Sequence, residues 1–215
     1  MSASKAKTRT KGIVGTKPGA THKTGPGDLN ASQFACWYRD ETLAQWRGLD
    51  LAAVTRLAEY VAECQDQGRQ IFVLGNGGSA ATASHWATDL CKTAEVKGKA
   101  PIKCVSLTDN VSYITAIGND LSFDDIFSRQ LENLVEAGDL VILISGSGNS
   151  RNLLKAAELA RSRGAKTAAL LGFDGGRLKD VVSLSVLVDS DQYGVIEDLH
   201  MGIGHILTFY LKQRP

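Results

Sequence analysis

The chain carries almost no net charge: 24 Lys and Arg stand against 23 Asp and Glu, leaving +1. That balance argues against a nucleic-acid binder that works by bulk electrostatics. Paired cysteines are missing too. Cys36, Cys64, Cys91 and Cys104 lie far apart with no C-x-x-C, and they read as reduced core thiols, not as disulfides or a Cys-rich zinc site. No apolar run approaches the ~18 residues of a membrane span, and no signal-peptide h-region is present. A cytoplasmic protein without membrane contact is expected. G-x-G-x-x-G and the Walker pattern with its Lys are also absent, which counts against dinucleotide and triphosphate sites.

What is present suits one globular domain. The chain has 215 residues, 43% hydrophobic and 22% charged, enough for a substantial core. Residues 1–28 are rich in Lys, Thr, Gly, Ser and Pro with almost no large apolar side chain, and read as a disordered tail, basic and without an assigned role. His22 falls in that tail. From 29 to 215 the composition is that of a folded domain. Phe34, Trp37, Tyr38, Leu43 and Trp46 suggest a first amphipathic helix, packed within the chain or on a neighbouring subunit. Leu51, Val54, Leu57, Ala58 and Val61 recur at helical spacing in a second, which Gln67-Gly68 ends.

Five short apolar runs follow, at 71–74, 102–107, 140–144, 167–171 and 184–188. Helical patterns separate the later ones, at about 124–136, 150–163 and 176–180, with a last helix at about 195–212. Strands alternating with helices predict a doubly wound parallel α/β sheet, whose ligands sit beyond the carboxyl ends of the strands.

Two loops fall there. Gly75-Asn76-Gly77-Gly78-Ser79 follows the first strand, and Ser145-Gly146-Ser147-Gly148-Asn149-Ser150 follows the strand ending at Ile144. Glycines admit a ligand close to the backbone, and a helix start beyond each loop favours an anion. Neutral hydroxyls and amides in this setting suit a phosphate monoester. His85 and Asp89, four residues apart, share a helix face. Glu197 and His205 are eight apart, about 80° around a helix, and are read as converging on one edge. Two imidazoles and two carboxylates suit zinc or another borderline divalent ion. His200, five residues before His205, is expected to face elsewhere, at an interface.

These two loops, with Ala116-Ile117-Gly118-Asn119-Asp120, Phe127-Ser128-Arg129-Gln130, Gly172-Phe173-Asp174-Gly175-Gly176, Glu197-Asp198-Leu199-His200 and Gly204-His205-Ile206-Leu207, resemble the sugar isomerase (SIS) domain family, and within it the phosphoheptose isomerases. The resemblance spans about 30–212. It implies a flavodoxin-like five-stranded parallel sheet, a homotetramer with sites at subunit interfaces, and a sugar-phosphate substrate. It implies that Asn76, Gly77, Gly78 and Ser79 line the sugar, that Asn119 and Asp120 contact its hydroxyls, and that Ser145, Gly146, Ser147 and Ser150 hold the phosphate. It places metal binding, usually zinc, and catalysis on His85, Asp89, Glu197 and His205.

The chain departs from the family it resembles at two of these positions: Asp89 stands where those enzymes have Glu, and Glu197 where they have Gln. Asp is shorter by one methylene, roughly 1.5 Å of reach, and a displacement of ~1 Å costs on the order of 100-fold in rate. Either Asp89 acts as base in a tighter pocket, or Asp89 holds the metal while Glu197 is the base. His205 would shuttle the proton. The expected reaction is interconversion of sedoheptulose 7-phosphate and an aldoheptose 7-phosphate through an enediol. The alternatives are an isomerase for another ketose phosphate and a non-catalytic binder of a sugar phosphate or protein.

Overall fold

The computed structural model describes residues 25–214, so the tail expected over 1–28, with His22, lies almost wholly outside the described residues. Five parallel strands, β1 (Gln70–Gly75), β2 (Lys103–Ser106), β3 (Leu140–Ser145), β4 (Lys166–Leu171) and β5 (Leu184–Leu187), form one sheet in the order β2-β1-β3-β4-β5. This is the doubly wound arrangement expected. Its strand order reverses between β1 and β3, and a crevice opens at such a switch point.

The helices are α1 (Ala31–Gly48), α2 (Leu51–Gln67), α3 (Gly78–Thr88), α4 (Val111–Asp120), α5 (Ser128–Leu134), α6 (Arg151–Ser162), α7 (Leu178–Val181) and α8 (Tyr193–Gln213). Alternate strand residues serve two cores, because successive side chains leave opposite faces. Ile71, Val73, Ile142, Ile144, Ala168 and Leu170 pack beneath α2, α3 and α8. Phe72, Leu74, Val141, Leu143, Ala169 and Leu171 pack beneath α5 and α6. Both faces of the central strands β1, β3 and β4 are covered, so these read as apolar runs, whereas edge strand β2 exposes Lys103 and Val105.

Local chemistry sets the helix ends. Asn30 and Gln33 form a capping box on α1, and Asp50 accepts from Ala52 and Ala53 at the start of α2. Gly68 ends α2 in the left-handed conformation, its N–H returning to the carbonyls of Cys64 and Gln65.

Several expectations need correction. The helix expected at about 124–136 is a 3-10 turn, Phe123–Asp125, followed by the shorter α5. Helix α4 was not expected: it buries no residue fully, only Ile114 and Ile117 resting half-buried on the core, and its start is capped by the Asn110 side chain accepting from Tyr113 N. The cysteines are free, but only Cys64 and Cys104 are buried, while Cys36 and Cys91 are exposed. His200 lies within this chain's own core, 0% exposed, with Nε2 3.2 Å from the Leu171 carbonyl oxygen. Burial holds its imidazole well below the usual value, at about 4. Among the described residues no helix is long and apolar enough to cross a membrane.

Candidate functional site

At the switch point the loops after β1 and β3 face each other across a cavity of about 170 Å³. It is lined by Asn76, Ser79, Ser145, Gly146, Ser147 and Ser150, with Leu153 below and Tyr193 and Glu197 of α8 along one side. The two loops are tied by a reciprocal amide pair. Asn76 Nδ2 donates to Asn152 Oδ1 at 3.0 Å, and Asn152 Nδ2 donates to Asn76 Oδ1 at 2.9 Å. Asn152 is buried and gave no signal in sequence, since an Asn inside a helix start looks like any polar residue.

Helix α6 opens at Ser150 and α3 at Gly77, and neither cap residue bonds the helix with its own side chain. Two helix N-termini therefore present amide donors at one site, the arrangement that draws anions. The Ser145 hydroxyl accepts from Gly148 N at 3.1 Å and shapes the turn. Ser147 accepts weakly from Asn149 N at 3.3 Å. The pocket lining contains no Lys or Arg, so its donors are neutral.

Glu197 enters this pocket from α8. Its carboxylate lies so close to Gly78 that a Cβ there would collide with Glu Oε1. Gly78 is thus required by approach, and the carboxylate rests at the first turn of α3, where a helix favours negative charge. At the next residue of α8, Tyr38 Oη donates to Asp198 Oδ2 at 2.7 Å and ties α1 to α8. Burial, then the bond to Asp198, pushes the Tyr38 phenol up to about 12.

A second group forms between α3 and α8. His85 Nε2 lies 3.1 Å from His205 Nε2 and 3.3 Å from Asp89 Oδ2, and His205 Nε2 lies 3.7 Å from the same oxygen. A tetrahedral ion with legs of about 2.0–2.1 Å sets its ligands roughly 3.4 Å apart. The three donors fit three corners of such a polyhedron and leave a fourth open. The group is suited to hold a metal ion. Asp89 opens a π-helical turn, Asp89–Thr93, whose wider winding sets Thr93 Oγ1 to donate to Asp89 Oδ1 at 2.9 Å. Thr93 escapes a sequence reading because nothing announces the wider turn.

Glu197 is not part of that group. Eight residues on a helix are about 80° apart around the axis but also about 12 Å apart along it, so Glu197 reaches the serine pocket while His205 meets His85 and Asp89. Asn119 and Asp120 stand exposed at the end of α4, Asn119 Nδ2 donating to Asp120 Oδ1 at 2.7 Å, and they do not line the pocket. Gly77 is the cap of α3 beside it.

A parallel sheet of this order, with two serine- and glycine-bearing turns at its switch point, defines a doubly wound α/β domain with its cavity at the carboxyl ends of the strands. The chain belongs to the SIS domain family, whose model matches residues 38–172. It is 43% identical over 161 residues to a phosphoheptose isomerase of Geobacter sulfurreducens, covering 75% of this chain and 85% of that one. Among solved structures it is similar to phosphoheptose isomerases from Neisseria gonorrhoeae (TM-score 0.78, 29% identity, covering 85% of this chain and 98% of the other) and Francisella tularensis (TM-score 0.79, 28% identity, 86% and 100%).

Proposed function

We propose that this protein is a ketose–aldose phosphate isomerase that interconverts sedoheptulose 7-phosphate and a D-glycero-D-manno-type heptose 7-phosphate. The observation that carries the reading is a carboxylate, Glu197, set inside a neutral cradle of serines and helix N-termini. The cradle takes the phosphate, and its relatives are named for the same chemistry. Ser145, Ser147 and Ser150 donate to the phosphate, while Asn76, Gly77, Gly78 and Ser79 face the sugar.

Of the two readings of the carboxylates, the geometry supports Glu197 as the base and Asp89 as a ligand. Both Asp89 oxygens are engaged, one with the imidazoles and one with Thr93. Glu197 takes a proton from C1 of the open-chain ketose, leaving a cis-enediolate; the carboxyl proton exchanges with solvent, and Glu197 then protonates C2 while the O1 proton passes to O2. His85, Asp89 and His205 hold a divalent ion, with zinc the ion that two imidazoles and a carboxylate suit best. When bound it would supply Lewis-acid polarisation of the substrate carbonyl. His205 is assigned to the ion and not to proton transfer, because its Nε2 already faces His85 and Asp89.

We also assign self-association, as a homotetramer. Helix α1 buries none of its residues, and Phe34 and Leu43 of α1 and Ile206, Phe209 and Tyr210 of α8 are exposed. Mass photometry of the full chain checks this, with a monomer as the contrary result. For the chemistry, sedoheptulose 7-phosphate is incubated with the protein in deuterated buffer and followed by proton NMR. An aldose anomeric signal with deuterium at C2 is expected. Binding of the sugar phosphate with neither turnover nor exchange would leave a binding protein instead.

A further inference from the structure

The wall of the cradle is aromatic, and the backbone behind it is strained. Tyr193, the first residue of α8, packs its ring on Gly146: a Cβ at 146 would stand 2.7 Å from Tyr193 Cε1. Tyr193 and Glu197 are four residues apart on one helix face and line the same cavity. On its other side Tyr193 meets Phe173 edge to face, with ring centroids 5.1 Å apart at 68°.

Phe173 is held at φ +51°, a left-handed conformation that is strained for a large residue and persists only where its surroundings impose it. They do so here. Phe173 N donates to Ser190 O at 3.0 Å, in the segment that leads to α8. The turn containing it is tied to the cradle loop by Gly172 N to Gly146 O at 2.9 Å, Leu178 N to Gly148 O at 2.9 Å and Arg177 N to Asn149 Oδ1 at 3.1 Å. The strained residue therefore joins the cradle loop, the α8 lead-in and the ring of Tyr193.

We propose that Tyr193 is a binding residue that closes one side of the phosphate cradle, and that Phe173 is its positioning residue, kept in a left-handed conformation to hold that ring in place. The proposal rests on the phosphate reading of the pocket. With no Lys or Arg in the lining, affinity depends on neutral donors, and neutral donors gain strength when water is kept away from them. The ring supplies that exclusion where it packs on Gly146 of the serine loop, one turn of α8 before Glu197. Its loss is expressed in KM and leaves kcat nearly unchanged, as when binding is equal in ground and transition states.

The test compares Tyr193→Ala, Tyr193→Phe, Phe173→Gly and Phe173→Ala with the parent protein. Inorganic phosphate binding is read by phosphorus NMR, and KM and kcat are read with sedoheptulose 7-phosphate. Tyr193→Ala is expected to weaken phosphate binding and raise KM about tenfold with kcat within about twofold, the scale of one lost aromatic contact, and Tyr193→Phe is expected to restore both. Both Phe173 variants are expected to raise KM in the same sense. Phe173→Gly is expected to melt at or above Phe173→Ala, reversing the usual order because only Gly accepts this φ without strain. Phosphate affinity in Tyr193→Ala within about twofold of the parent overturns the role of Tyr193. Unchanged KM in both Phe173 variants, or a lower melting point for Phe173→Gly than for Phe173→Ala, overturns that of Phe173. A parent that binds phosphate but does not isomerise the sugar refutes the assigned reaction and leaves the phosphate arm to decide this proposal. A parent that binds no phosphate overturns both.

Discussion

The serine cradle and the His–Asp–His group are built in opposite ways. The cradle loop is six consecutive residues, Ser145 to Ser150, whose donors are hydroxyls and backbone amides fixed by one strand end and one helix start. The His–Asp–His group joins side chains 120 residues apart, His85 on α3 and His205 on α8, and exists only because two helices pack side by side on one face of the sheet. A local structure tolerates changes elsewhere in the fold, whereas one made by packing depends on every contact that sets the helix spacing. Trp86 is such a contact: its indole lies so close to Gly204 that a Cβ there would collide with it, fixing α8 against α3 one residue from each imidazole.

Glu197 stands between the two regions, and its removal is the largest break. Glu197→Gln keeps shape and removes the carboxylate proposed as base, so kcat is expected to fall on the order of 1,000-fold. Phosphate binding and metal content should stay at parental levels. Retained activity, measured by deuterium entry at C2, would return the base to Asp89.

A crossed pair of variants sharpens the comparison. His205→Ala is expected to lose bound zinc, read by elemental analysis, and to lose roughly 100-fold or more in rate, while still binding inorganic phosphate. Ser147→Ala is expected to do the reverse: full zinc content, and KM raised about tenfold through one lost bond to a charged group. If either variant damaged both properties alike, the two regions would be one coupled site.

The smallest effect concerns how α8 is held. Above pH 6.5 His200 is neutral whether the chain is folded or not. Between 6.5 and about 4 the unfolded chain takes up a proton that the buried imidazole refuses. The unfolded state binds more protons there, so stability is full above that window and declines as pH falls through it, by up to about 1.4 kcal/mol per pH unit from this group. In His200→Leu that share of the slope should vanish, as followed by urea unfolding at several pH values. An unchanged slope would mean that the imidazole charges without leaving the core.

Much of the fold was legible because the central strands β1, β3 and β4 are covered on both faces and so appear as apolar runs, and because Asp50 and Gly68 bound α2 by local hydrogen bonding. Helix α4 was missed because its apolar side is short: of Val111, Ile114 and Ile117 only the last two rest on the core, half-buried, and Val111 is exposed. In the site, the two loops were legible as contiguous glycine and serine patterns. The partition of the carboxylates was not. Glu197 and His205 look like partners by angle alone, and their rise along the helix separates them.

By itself the sequence determined the five strands, most of the helices between them, the glycine- and serine-bearing loops after β1 and β3, and the i, i+4 pairing of His85 with Asp89, because these depend on neighbours within a turn or two. Tertiary structure alone decided that Asn152 clasps Asn76, that Asp89 meets His205 while Glu197 joins the serines, and that Phe173 is bent to brace Tyr193. Those facts depend on where packed helices place distant residues in three dimensions, and no local preference carries that information.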